Sequence, residues 1–111
     1  MQQRPVLTLT RTAVAAVFAN RFITAAGVYP AAGAAAFGAT DTDAATGDDM
    51  AVVVMGTKKI VSGGAFADGA DLKSDADGKA IAQGGAGVIT ATALQAATAA
   101  DQVVEVLLKV A

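Results

Sequence analysis

AAFGATDTDAATGDDMAVVV at residues 35–54 returns a constant 52 residues later, at 87–106, as GVITATALQAATAADQVVEV. The identical pairs are Ala39/Ala91, Thr40/Thr92, Ala44/Ala96, Ala45/Ala97, Thr46/Thr98, Asp49/Asp101, Val52/Val104 and Val54/Val106. Alanine matches carry little weight in an alanine-rich chain. The Thr, Asp and Val matches carry more, and they fall at the turn and on alternate residues of the strand that follows. Similarity at a fixed period marks a repeated supersecondary unit. The unit read here is strand, short loop, strand, with Val52, Val54, Val104 and Val106 all expected to point inward.

Outward from the echo, the same alternation recurs. VLTLT at 6–10 sets Leu7 and Leu9 against Thr8 and Thr10, the period of a half-buried strand. Residues 11–19 fit a short helix or a strand. NRFIT at 20–24 reads as strand, VYPAAG as a hairpin turn and AAAFGAT as a strand. DTDAATGDD is a loop, MAVVVM at 50–55 a strand, Gly56–Thr57 a turn and KKIV at 58–61 the returning strand. ADLKS, the turn DADG and KAIA follow, then VITATAL at 88–94 and QVVEVLLKV at 102–110. In that last strand Val104, Val106, Leu108 and Val110 share one face; Val103, Glu105, Leu107 and Lys109 share the other. The alanine-rich loops at 42–47 and 94–100 could each hold a helical turn. About eight short strands at regular spacing predict an all-β fold, a small barrel or sandwich with an extended N-terminal arm. The arm is residues 1–5, or extends to 11 if VLTLT is not the first strand; residues 6–111 form a single domain.

Composition narrows the function. Hydrophobic residues make up 54% of the 111, but alanine supplies much of that, with four Phe, one Tyr and no Trp. A core so thin in large side chains gains from oligomerisation or docking, because the absence of Cys excludes disulfides and the absence of His restricts any metal to carboxylates. The first forty residues carry Arg4, Arg11 and Arg21 and no acid, whereas every Asp and Glu lies beyond them, within a net charge of −2. Such polarity suits arm-to-partner contacts; it also suits mere solubility. An acidic body with no basic–aromatic cluster argues against nucleic acid. Arg11 and Arg21 bracket too short an apolar stretch for a signal, and the Ala/Gly run at 25–39, broken by Pro30, is too weakly apolar to span a membrane.

No motif points to catalysis. Ser62 and Ser74 lack a partner base, and GTKK at 56–59 lacks the spacing of a phosphate loop. DADG at 75–78 starts like a calcium loop, but the only Glu, Glu105, is distant. The acidic loop Asp41, Asp43, Asp48, Asp49 fits side-chain-capped turns better than a cation site. No enzyme activity and no cofactor are expected.

The segment NRFITAAGVYPAAGAAAFGATDTDAATGDDMAVVVMGTKKIVSGGAFADGADLKSDADGKAI and the closing ATALQAATAADQVVEVLLKV carry a resemblance. In composition, length and turn order the chain from about residue 5 to 111 resembles the small capsid cement or decoration proteins of tailed bacteriophages. The resemblance implies a β-rich structural protein on the outside of the virion head, made in the host cytoplasm, that binds the major capsid protein. It also implies self-association, a homotrimer before a homodimer. The expected contact residues are Arg4, Pro5, Leu7, Leu9 and Arg11 of the arm, Arg21, and the apolar outer face Ala51, Val53 and Met55. Two other readings stand beside it. One is a host-attachment module displayed on the virion, with loops 41–49 and 62–71 as its tips. The other is a carrier-type domain, because IVSGGAFADGADLKSDADGKAI resembles biotinyl and lipoyl hairpins, although Lys73 and Lys79 flank its turn instead of occupying the tip.

Overall fold

The computed structural model describes residues 5–109. Its strands are β1 (Pro5–Thr12), β2 (Phe22–Ile23), β3 (Gly38–Thr40), β4 (Asp49–Val61), β5 (Asp71–Ser74), β6 (Ala80–Ala82), β7 (Ala91–Ala93) and β8 (Val103–Leu108). They hydrogen-bond in the order β2-β3-β4-β8-β7-β5-β6, with β1 also on β4, and form a nearly closed antiparallel barrel. A 2.7 Å bond from Phe22 N–H to Gly78 C=O links β2 to the turn before β6, and a parallel bridge between Ser62 and Ala80 joins the end of β4 to β6. No helix occurs among the described residues. In the alanine-rich loops the amides that could start a helix are taken locally: Ala45 N–H donates to Asp48 Oδ2 and Thr98 N–H to Gln102 Oε1.

Two expectations are corrected here. Gly56–Thr57 is not a turn: β4 runs unbroken through it for 13 residues. Gly56, at φ 102°, lets the strand kink where its partners change. Before the kink β4 pairs with β1 on one side and β3 on the other; after it, Thr57–Val61 pair with β8. Residues 5–12 belong to the protein's own sheet, in register with Asp49–Gly56, so the arm does not extend to residue 11. Residues 1–4 lie outside the described residues.

The pairing shows that the two halves of the chain repeat one topology, β2-β3-β4-β1 in the first and β5-β7-β8-β4 in the second. The spacing is not a constant 52. Phe22↔Ala39 matches Asp71↔Thr92, Ala39↔Val53 matches Thr92↔Leu107, and Arg11↔Met50 matches Ile60↔Val104. The step grows along the chain because the β5–β7 connection is longer, holding β6, and because the loop before β8 has one extra residue. Loop bonds repeat as well. Val17 and Ala44 exchange backbone bonds, as do Phe66 and Ala97. Asn20 N–H donates to Thr40 C=O as Gly69 N–H does to Ala93 C=O. Among the described residues, the two non-glycine residues with left-handed backbones, Asn20 (φ 61°) and Asp101 (φ 64°), stand where the other half has Gly69 and Gly47. Both are residue types that tolerate this conformation.

Burial repeats in step. One core cluster contains Val17, Ile23, Ala44, Met50, Val52 and Val54; the positions matching them, Phe66, Leu72, Ala97, Val104, Val106 and Leu108, lie in the other. Phe22, Ala39 and Val53, on the opposite face of the first half's sheet, join that second cluster and weld the halves together. Val52, Val54, Val104 and Val106 are all buried.

Since Ile23 and Leu72 fill matching positions and are fully buried, Ile23→Ala and Leu72→Ala should each cost about 2–5 kcal/mol. Urea denaturation checks this, and the two losses should be similar. At Asp101 the left-handed backbone makes a different prediction. Asp101→Gly should melt higher than Asp101→Ala in calorimetry, despite glycine's greater freedom when unfolded, because only glycine adopts that φ without strain.

Candidate functional site

β1 begins opposite Gly56 and β8 ends opposite Thr57, so the start of one strand and the end of the other flank the kink in β4. Between them lies an open groove of about 620 Å³, lined by Leu7, Leu9, Phe37, Val54, Met55, Gly56, Leu107, Leu108 and Lys109. Leu7, Leu9, Met55 and Leu107 are each about 40–50% exposed, large apolar side chains left facing solvent together. Contiguous exposed apolar surface of this kind marks interaction sites. Lys109 stands at the rim, and the Arg11 guanidinium lies 4.6 Å from the Phe37 ring centroid, a cation–π contact that holds a positive charge at the other side. Every β1 residue from Leu7 to Thr12 is exposed, and β1 pairs only with β4 among the described residues.

Of the residues expected to contact a partner, the fold brings Leu7, Leu9 and Met55 into this groove, with Arg11 beside it. Pro5 pairs with Gly56 at its edge, and Arg4 lies outside the described residues. Ala51 is half-buried opposite Thr10. Val53 is 1% exposed and packs in the core, because β3 and the second half cover the face of β4 that simple alternation leaves outside; it offers no surface. Arg21 is elsewhere. Its Nη1 donates to Asp77 C=O at 3.0 Å and its guanidinium stacks near Phe18 and Tyr29, tying the segment before β2 to the β5–β6 turn. The groove residues not anticipated are Phe37, Val54, Gly56, Leu107, Leu108 and Lys109. Leu107, an apolar residue on the outward face of β8, was the available signal.

DADG is a turn: Asp75 Oδ1 accepts from Asp77 N–H within it and from Lys79 N–H just after it. In the acidic loop Asp48 Oδ2 accepts from Ala45 N–H, whereas Asp43 Oδ1 accepts from the distant Ala19 N–H at 2.6 Å and Asp49 Oδ1 from the Thr12 hydroxyl, bracing neighbouring segments. Lys73 Nζ donates to Ala86 C=O and Lys79 Nζ to Asp101 Oδ1 at 2.7 Å. The bond from Lys79 holds the Asp101 carboxyl below the usual aspartate range. A depressed folded-state value contributes stability above the ordinary aspartate pKa, and that stability is lost as the pH falls through the lowered one.

Val53→Asp and Met55→Asp, two residues apart on one strand, separate core from surface. Val53→Asp buries a charge and should abolish folding, whereas Met55→Asp should leave the melting temperature within a few degrees of the parent; circular dichroism melts read both.

The phage cement protein family matches residues 1–108. Among solved structures the fold is similar to the N base of head fiber gp8.5 of bacteriophage phi29, at 18% identity over 93% of each chain with a TM-score of 0.78. No curated protein matches the sequence. With all but its last three residues matched, this chain belongs to the phage cement proteins, structural proteins of the virion associated with the capsid.

Proposed function

We propose that this protein binds the outside of the assembled phage head through the β1–β4–β8 groove and holds neighbouring major capsid subunits together against internal pressure. The observation that carries the reading is the exposed cluster Leu7, Leu9, Met55 and Leu107, rimmed by Arg11 and Lys109, on a member of the cement family. The apolar floor supplies the area buried against a capsid subunit, and the cationic rim selects an acidic surround and sets orientation. One copy gripping two subunits raises their effective concentration for each other without new chemistry. The likeness of the fold to the N base of a phage head fiber supports a place on the head. Self-association, a trimer before a dimer, is part of the proposal, because exposed apolar residues outside the groove such as Val14 and Phe18 remain to be covered.

Leu9→Glu and Leu107→Glu should each keep the fold and weaken co-sedimentation with expanded heads by roughly tenfold or more, the effect of losing a central apolar contact. Thr8→Ala should bind as the parent does. Folded Leu9→Glu and Leu107→Glu variants that bind heads normally would overturn the groove assignment.

A further inference from the structure

One polar cluster, buried at Lys58 and open to solvent at Asp41, has no counterpart in the repeat. Lys58, on β4, has a side chain that is 0% exposed. Its Nζ donates to Asn20 Oδ1 at 2.6 Å and to Lys59 C=O at 3.1 Å, and Asp41 Oδ1 lies 3.5 Å from it. Asn20 precedes β2 and Asp41 follows β3, so two side chains of the first half meet Lys58 on the part of β4 that pairs with the second half. In the second half the positions matching Asn20 and Asp41 are Gly69 and Leu94, with the same backbone bonds around them. The fold therefore forms this corner without the polar side chains. Asn20 keeps a left-handed backbone where glycine serves the other half, and its amide oxygen accepts from Lys58 Nζ.

The geometry points to a modification site: Lys58 and Asn20 are placed to join through an intramolecular isopeptide bond, with Asp41 carrying the protons. A hydrogen bond from Nζ to Oδ1 holds the nucleophile beside the amide, whose carbon Cγ is the atom bonded to that acceptor. Burial pushes the Lys58 ammonium below the ordinary lysine range, against the opposing pull of Asp41, and so favours the neutral amine that attacks. The steps balance without any outside reagent. Lys58 Nζ gives a proton to the Asp41 carboxylate, and its lone pair adds to Asn20 Cγ. The new N–C bond forms, a second Nζ proton passes to Nδ2, and the Cγ–Nδ2 bond breaks. Nδ2 leaves as ammonia and takes the proton from Asp41, which returns to its carboxylate form; the net products are the amide and one ammonium ion. The bond would close a covalent ring between residues 38 positions apart, and it would anchor the segment before β2 to the strand that both halves share.

The test is intact-mass measurement and proteolytic mapping of the purified full chain. The expected result is a mass lower by one ammonia and a branched peptide that joins the Asn20 and Lys58 fragments. Cyclisation of Gln2 at a freed N-terminus also releases ammonia, so the branched peptide is the deciding readout. Asn20→Gly suits the left-handed backbone and should fold while yielding no branched peptide; Asp41→Asn should fold and slow or stop its appearance. A folded parent protein that, after prolonged incubation, digests only to separate Asn20 and Lys58 peptides would overturn the inference, and so would a branched peptide persisting at residue 58 in folded Asn20→Gly.

Discussion

Everything in this fold depends on β4 being one strand with two sets of neighbours. Its first part is hydrogen-bonded on both edges, to β1 and β3, and its second part becomes an outer strand of the other half, paired to β8. A strand so placed must be apolar on both faces, and Val52, Val53 and Val54 are consecutive buried residues. The two halves therefore do not dock as separate bodies; they share a backbone. That sharing lets a chain with few large side chains build a core, because the face of the first sheet that carries Phe22, Ala39 and Val53 becomes one wall of the second cluster. Small residues such as Ala39, Ala91 and Ala93 then permit close approach of strands where bulkier ones would hold them apart.

The kink at Gly56 follows from the same constraint. A strand of 13 residues is well beyond the usual five or six, and a straight one would overrun a barrel this small. Bending at a glycine keeps the hydrogen bonds on either side while redirecting the second part toward β8. It also leaves a notch, since β1 has just begun and β8 is about to end there. The apolar groove is thus a by-product of how the halves are joined, furnished by Leu7, Leu9, Met55 and Leu107.

Much of this was legible in the chain. Alternation in VLTLT and QVVEV located β1 and β8, and the Asp and Gly clusters located the loops. The repeat was visible too, but at the wrong spacing. Ala44 pairs by identity with Ala96, yet its structural match is Ala97, and Val52 matches Val106, not Val104. Residue identity misleads among alanines and valines, which substitute for one another freely; what the halves share is the order of burial and hydrogen bonding, and single-residue insertions in loops shift the frame. Gly56–Thr57 reads as a turn because a glycine with positive φ is turn chemistry, and only the neighbouring strands reveal a bend instead. Val53 was placed outside by period-2 alternation, which holds for a strand covered on one face and fails for a central one.

The groove was harder to see, since its walls come from residues about fifty and a hundred positions apart and meet only through the β4 register. Its position carries a further consequence. From Leu7 to Thr12 β1 is exposed on both faces, and among the described residues the strand it pairs with is β4, so it draws little on the core. Segments with few buried contacts and solvent-facing hydrogen bonds open at lowest cost. A partner that seats on Leu7 and Leu9 would cover the strand that the protein's own core leaves bare, so docking and the ordering of β1 are coupled: whatever fills the groove also stabilises the edge that forms it. Under the proposed docking, the most exposed strand would depend on the partner, whereas the two halves are held together through β4.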